Sequence, residues 1–188
     1  MEIIKLTQAE WIPAVTRFIQ CGEHKTGYVV FESPTAAVHR AAQVDADICE
    51  ALGYEIVETF NNCGTIVANP DDFGIGHMGS PENGWGERFA AYFVEWLRER
   101  GLSAEYIGND IMVDGFKVCG ICVNRYGCID YTGGLIGINT NLDHIKAICK
   151  KPMKKVPRGL SYYGISTDEV KNMFLEFCEG ERAWKNTF

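Results

Sequence analysis

The chain has 188 residues, of which 46% are hydrophobic and 23% charged, and its formal net charge is −7 at pH 7. That length suits one domain with a sizeable core, and the acidic balance argues against a protein whose business is nucleic acid, because neutralising phosphates needs a basic face. No run is long enough to span a bilayer and no basic-then-apolar leader opens the chain, so the expectation is a single cytoplasmic domain over residues 1–188, away from membranes.

Residues 9–19 carry Trp11, Val15, Phe18 and Ile19 at helical spacing, and 28–31 read as a short apolar strand. Ser33-Pro34 supplies an N-cap and a first-turn proline, which predicts a helix running to about Leu52 with Val38, Ala41, Val44, Ile48 and Leu52 facing the core. His39 falls off that stripe and reads as a surface residue. After Gly53, residues 54–60 alternate as a half-buried strand, 61–64 have turn chemistry, and 65–69 read as the partner strand of a hairpin.

Residues 73–79 contain three glycines, but none opens a helix in a G-x-G-x-x-G pattern, so a strand with a loop is expected rather than a nucleotide fingerprint. A helix is predicted from Trp85 to Gly101, with Phe89, Phe93, Trp96 and Leu97 as its buried stripe. Further on, 128–130 and 135–140 read as strands flanking Thr132-Gly133-Gly134, and Asn141 caps a helix to Cys149. Ser166 and Glu169 spell a capping box for the last helix, whose buried face is Val170, Met173, Phe174 and Phe177. Hairpins outnumber crossovers, so the predicted fold is α+β: one domain with a central mixed, mostly antiparallel β-sheet flanked by helices.

Eight cysteines without a leader suggest free thiols in a reducing compartment. Cys119 and Cys122 spell C-x-x-C, but strand spacing sends them to opposite faces, and His24, His39, His77 and His144 are scattered, so core packing is expected rather than metal or redox use. Lys146, Lys150, Lys151, Lys154, Lys155 and Arg158 form the one basic cluster, read as a solvated turn with docking of an acidic partner as the functional alternative.

The most informative stretch is Gly108-Asn109-Asp110-Ile111-Met112-Val113-Asp114-Gly115-Phe116-Lys117-Val118-Cys119-Gly120-Ile121. Asp114-Gly115 is a two-residue hairpin signal, which places Lys117 at the start of a return strand where backbone pairing holds it. Asn109, Asp110, Lys117 and Gly120 fall on a pattern that resembles the catalytic core of the biotin and lipoate protein ligases. That core has an Asn-Asp pair, a hairpin, then Lys, an apolar residue, a small residue and Gly. Residues 133–143 look like the next strand of that family, and 148–166, with Arg158-Gly159-Leu160, look more like its lipoate branch.

The resemblance implies an enzyme that uses ATP and Mg2+ to turn a small carboxylic acid into an acyl-adenylate and passes the acyl group to a lysine on a lipoyl- or biotinyl-carrier domain. Bringing a carboxylate against the α-phosphate requires a fixed cation in a water-poor site, and Lys117 would be that catalytic cation. Asn109, Asp110, Gly64, Gly120 and Gly134 would serve the cofactor side, with Asp110 also the metal candidate. Phe60, Asn61, Phe73 and His77 would line the acid pocket, with Met78 narrowing it, and lipoate ranks first, octanoate or biotin next.

Two other readings compete. ATP-independent octanoyl transfer would use a cysteine nucleophile, sought near Cys149. A non-catalytic binding module that has kept the ligase fold would explain why only Gly64 matches the family's Arg and glycine-rich turn, and why no accessory C-terminal domain is expected after residue 188.

Overall fold

The computed structural model describes residues 3–11, 25–59, 64–80 and 84–185. Among them, seven strands form the main sheet: β1 (Ile3–Leu6), β2 (Thr26–Val30), β6 (Phe73–Gly79), β10 (Ile129–Ile136), β9 (Phe116–Tyr126), β8 (Asp110–Val113) and β7 (Ala104–Ile107), in that spatial order. The β1–β2 pair is parallel and every other neighbour is antiparallel, so the sheet is mixed and mostly antiparallel, as expected. Three further strands, β3 (Thr35–Val38), β4 (Glu55–Glu58) and β5 (Ile66–Ala68), make a second sheet in the order β4-β3-β5.

Strand periodicity divides the main sheet into two unlike faces. One row of cross-strand neighbours reads Tyr28, Ile75, Gly134, Ile121, and this face is covered by α2 (Trp85–Arg98) and α4 (Thr167–Lys185). Phe89, Phe93, Leu97 and Phe174 are fully buried there, and each such side chain contributes about 1.5–3 kcal/mol of hydrophobic stabilisation. The adjacent row, facing the other way, reads Val29, Gly74, Leu135, Gly120, Asp110. Ala37 and Ala68 of the small sheet pack on Val29 and Leu135 at one end of that row, while the Asp110 end stays open. The small sheet's outer side is covered by α1 (Ala46–Ala51) and α3 (Leu142–Ile148) through Cys49, Ile145 and Ile148.

Several expectations need correction. The helix predicted after Ser33-Pro34 is instead strand β3, a 3-10 turn (Ala41–Gln43) and the short α1. All four residues of β3 are buried because Ala37 packs toward the main sheet and Ala36 and Val38 toward the helices on the other side, and a strand buried on both faces loses the alternation by which strands are recognised. The expected hairpin of β4 and β5 does not form either, since β3 lies between them and pairs with both. Ile129, Asp130 and the glycines that follow belong to one continuous strand, β10, which runs to Ile136, while Cys128 lies in the turn before it. Residues 15, 18, 19, 60 and 61 lie outside the described set.

Asp72 ties the two layers together at the end of β6. Its carboxylate, 1% exposed, accepts the backbone N–H groups of Asn69 (2.8 Å), Ile138 (2.6 Å) and Asn139 (3.0 Å). Burial pushes this carboxyl above its usual value, against the opposing pull of those hydrogen bonds. The folded state therefore holds its proton more tightly than the unfolded chain. The stability linked to this group falls as pH rises from the ordinary carboxylate range through the folded pKa. Asp72→Asn turns an amide donor or an impoverished acceptor toward three N–H groups and should cost about 1–3 kcal/mol. Thermal melts across acid to neutral pH should show the lower midpoint and the loss of that slope; equal midpoints at all pH values would contradict the assignment.

Candidate active site

The two sheets diverge from their shared apolar seam to leave a cavity of about 750 Å3. Its floor is the Leu135, Gly120, Asp110 end of that row, and its roof is the small sheet at Ala37, Ile66 and Val67. The β8–β9 hairpin forms as its turn residues demand, with Asp114 at φ 51° and Gly115 at φ 80°, the pair of positive values of a type I′ turn. A register irregularity between Ile111 and Met112 sets Lys117 opposite Met112 rather than along the regular ladder.

Lys117 is held at both ends. Its backbone N–H donates to the Val156 carbonyl (2.9 Å) and its carbonyl accepts the Arg158 N–H (2.9 Å), so the lysine-rich segment runs beside it as a strap. The side chain then lies back across Gly120, where a Cβ would stand 2.8 Å from Nζ and 2.9 Å from Cε. Only glycine leaves that path open. At its end Nζ meets Asp110 Oδ1 at 2.7 Å.

Asp110 Oδ2 carries a second ammonium, Lys155 Nζ at 2.8 Å, which also donates to the Ile107 carbonyl at 2.9 Å. Burial alone would raise the Asp110 carboxyl, but hydrogen bonds and charge from Lys117 and Lys155 outweigh it and hold the pKa below its usual value. Two ammonium groups against one carboxylate leave a surplus positive charge at the cavity floor, in a chain whose net charge is −7. The strap is clamped beyond Lys155 by Arg158, whose guanidinium lies 3.3 Å from the centre of the Phe116 ring and 4.2 Å from that of Tyr162.

A family model for the lipoyl protein ligase A/B catalytic domain matches residues 35–179. The chain belongs to this family. No curated protein matches it in sequence. A putative lipoate protein ligase from Thermoplasma acidophilum with bound lipoic acid superposes with a TM-score of 0.76 at 17% identity, covering 94% of this chain and 83% of that one. The same organism's bipartite ligase has been described with its E2 lipoyl domain. A lipoate-protein ligase A bound with ATP gives a TM-score of 0.74 at 17% identity, over 93% and 81% of the two chains. The biotin protein ligase of Aquifex aeolicus gives 0.56 at 12% identity, over 99% and 71%. At these identities the likeness is one of fold.

Within this lipoyl ligase A/B domain, Asn109, Asp110, Lys117, Gly64, Gly120 and Gly134 all border the one cavity. Gly134 does so differently from expectation. A Cβ there would meet Ile75 and the Gly120 carbonyl at 3.1 Å, so its missing side chain belongs to the helix-covered face, and it is Gly133 that turns toward the cavity. Phe73 and His77 do not line the cavity: strand parity turns both to the helix side, where Phe73 stacks on Tyr28 and His77 lies over Trp85, 2.8 Å from Thr26 Oγ1. Met78 points the opposite way, into a cluster with Tyr131. Phe60 and Asn61 lie outside the described residues.

Sequence reasoning missed the wall formed by Trp11, Tyr131 and Ile145, and above all Lys155, whose position follows from a parallel bridge across a loop that no local pattern announces. Two lysines occupy the place expected for a metal ligand. Both oxygens of Asp110 are engaged by ammonium groups, so this carboxylate is not open to a magnesium ion in this arrangement, and among the described residues no group of three or more His, Cys, Asp or Glu is gathered. The cationic floor does fit the anionic groups of a nucleotide and an acid. Cys119 faces the helix-side core, where burial pushes its thiol up to about 12, and it is free. Cys122 faces the other way and is disulfide-bonded, which corrects the expectation that all eight cysteines are thiols.

Gly120→Ala separates fold from function. The added methyl meets the flexible end of Lys117 rather than backbone, so the melting temperature should change little, while Lys117 is pushed off Asp110 and ligand affinity should drop at least about 10-fold. Calorimetry with ATP on both proteins checks this; unchanged affinity would show that the path over Gly120 is not used.

Proposed function

We propose that the protein is a lipoate-protein ligase-like enzyme that activates a small carboxylic acid with ATP and transfers the acyl group to a lysine of a carrier domain. The observation that carries this reading is the placement of the Lys117 ammonium, fixed over Gly120 at the floor of a cavity whose far walls are apolar. A carboxylate is unreactive toward amines at neutral pH, and adenylation replaces an oxide leaving group by AMP. The protein's task is then to hold two anions in line against their repulsion, which a strand-mounted lysine does without a search through rotamers. ATP supplies the adenylyl group, and magnesium, where used, arrives on the nucleotide phosphates rather than on a preformed carboxylate site.

The apolar tail would extend from Lys117 toward Leu135, Ile66 and Trp11. A ligase neighbour that binds lipoic acid, and another that binds ATP, support lipoate as the first candidate, with octanoate and biotin next. The neighbour described with its E2 lipoyl domain supports a lipoyl-type carrier as the acceptor. Among the described residues no helix is long and apolar enough to cross a membrane. Among the described residues five cysteines are free, as expected of a reducing compartment such as the cytoplasm, while the disulfide at Cys122 argues the other way.

Cys149 gives a second reading some support, because it borders the same cavity as Lys117 and could take an acyl group from a carrier thioester in ATP-independent transfer. Burial pushes its thiol up, with Cys49 adding to the effect, so it is poorly ionised at neutral pH.

Pyrophosphate exchange with lipoate, octanoate and biotin distinguishes the two. The ligase reading expects acid-dependent exchange that Lys117→Ala lowers at least about 100-fold and Cys149→Ser leaves intact. An acyl thioester on Cys149, with no exchange from any acid, would replace it by the transferase reading.

A further inference from the structure

We propose that Lys155 is a second anion-binding lysine of the cleft, held on Asp110 until the α-phosphate of the nucleotide takes it over. The inference rests on the acyl-adenylate reading and divides its labour: Lys117 serves the carboxylate side and Lys155 the phosphate side.

The geometry supports this in three ways. Lys155 Nζ stands 2.8 Å from Asp110 Oδ2, and Lys117 Nζ stands 2.7 Å from Oδ1 of the same carboxylate, so both ammonium groups border the cavity from one shared counter-ion. The pairing of Val156 and Arg158 with the Lys117 backbone puts Pro157 in register with Lys117 and anchors the chain directly after Lys155, so a change of rotamer carries the charge without moving the chain. Release from Asp110 is electrically balanced, since the carboxylate keeps Lys117 as its partner while the phosphate gains a full ammonium. A purely structural ion pair would not need a second lysine here, because Lys117 already neutralises Asp110.

Lys155 is also anchored to the Ile107 carbonyl, at the turn between β7 and β8 that carries Asn109. Its movement therefore loosens the strap from that turn as the nucleotide enters. Of the six basic residues that read as a solvated turn, Lys155 is thus a binding group, Lys154 borders the same cavity and Arg158 is a clamp.

The test compares AMP with adenosine by calorimetry on the full chain. Lys155→Gln should lower AMP affinity at least about 10-fold and leave adenosine affinity unchanged, because only the phosphate contact is lost. Lys155→Arg should recover most of it, and Lys151→Gln, which removes the same charge from an exposed position outside the cavity, should have no effect. In the unaltered protein, reductive methylation read by mass spectrometry should find Lys155 protected by AMP beyond any protection by adenosine, a result that does not depend on a variant folding. AMP binding that Lys117→Ala abolishes but Lys155→Gln leaves unchanged, with no difference in protection, would overturn this inference and spare the ligase reading. An unaltered protein that binds neither AMP nor ATP would overturn both.

Discussion

One carboxylate between two ammonium groups sets the character of this molecule. Asp110 holds Lys117 and Lys155 at 2.7 and 2.8 Å, which keeps two cations at the floor of a partly buried cavity where neither would stay unpaired. The surrounding architecture can be understood as what this arrangement needs. A hairpin turn with two positive φ values places Lys117, a glycine across the strand gives its side chain a path, and a strap hydrogen-bonded to its backbone brings Lys155. Removing the turn or the glycine would cost Lys117 its place on Asp110, and removing the strap would take Lys155 from the floor.

The two faces of the main sheet divide stability from chemistry. The face under α2 and α4 is a dry aromatic core, with Trp85 stacked on Phe89 at 5.4 Å and Phe174 packed edge-on against Phe73 at 5.7 Å. The opposite face trades side chains for space. Gly74, Gly120, Gly76 and Gly133 all point to that side, and the Tyr131 ring lies over the last two. A sheet with glycines on one face can be rigid because its other face is heavily packed. The small sheet supplies the roof without filling the gap, since its contact residues are the alanines Ala37 and Ala68.

The parts of this that sequence revealed were those encoded locally. The Asp114-Gly115 turn, the Asn141 cap on His144 and the Ser166–Glu169 capping box each depend on residues within three positions of one another, and all three formed as read. Lys117, Asp110, Asn109 and Gly120 were legible for the same reason, as neighbours on one hairpin. What misled was burial on both sides: β3 lost its alternation inside the small sheet and resembled a helix. Phe73 and His77 were placed at the pocket because composition marks a strand but not which face its odd residues take. Lys155 was hidden in a lysine-rich turn, and only its contact with Asp110, 45 residues earlier in the chain, distinguishes it from its solvated neighbours.

The central claim is that this cationic floor binds an activated acid joined to a nucleotide. A crystal structure with a non-hydrolysable acyl-sulfamoyl adenosine tests it most directly. The account predicts the sulfamoyl group above Gly120 within hydrogen-bond reach of Lys117, and the tail running between the sheets toward Leu135 and Trp11. An analogue bound elsewhere, with both lysines still on Asp110 and the cavity empty, would contradict it.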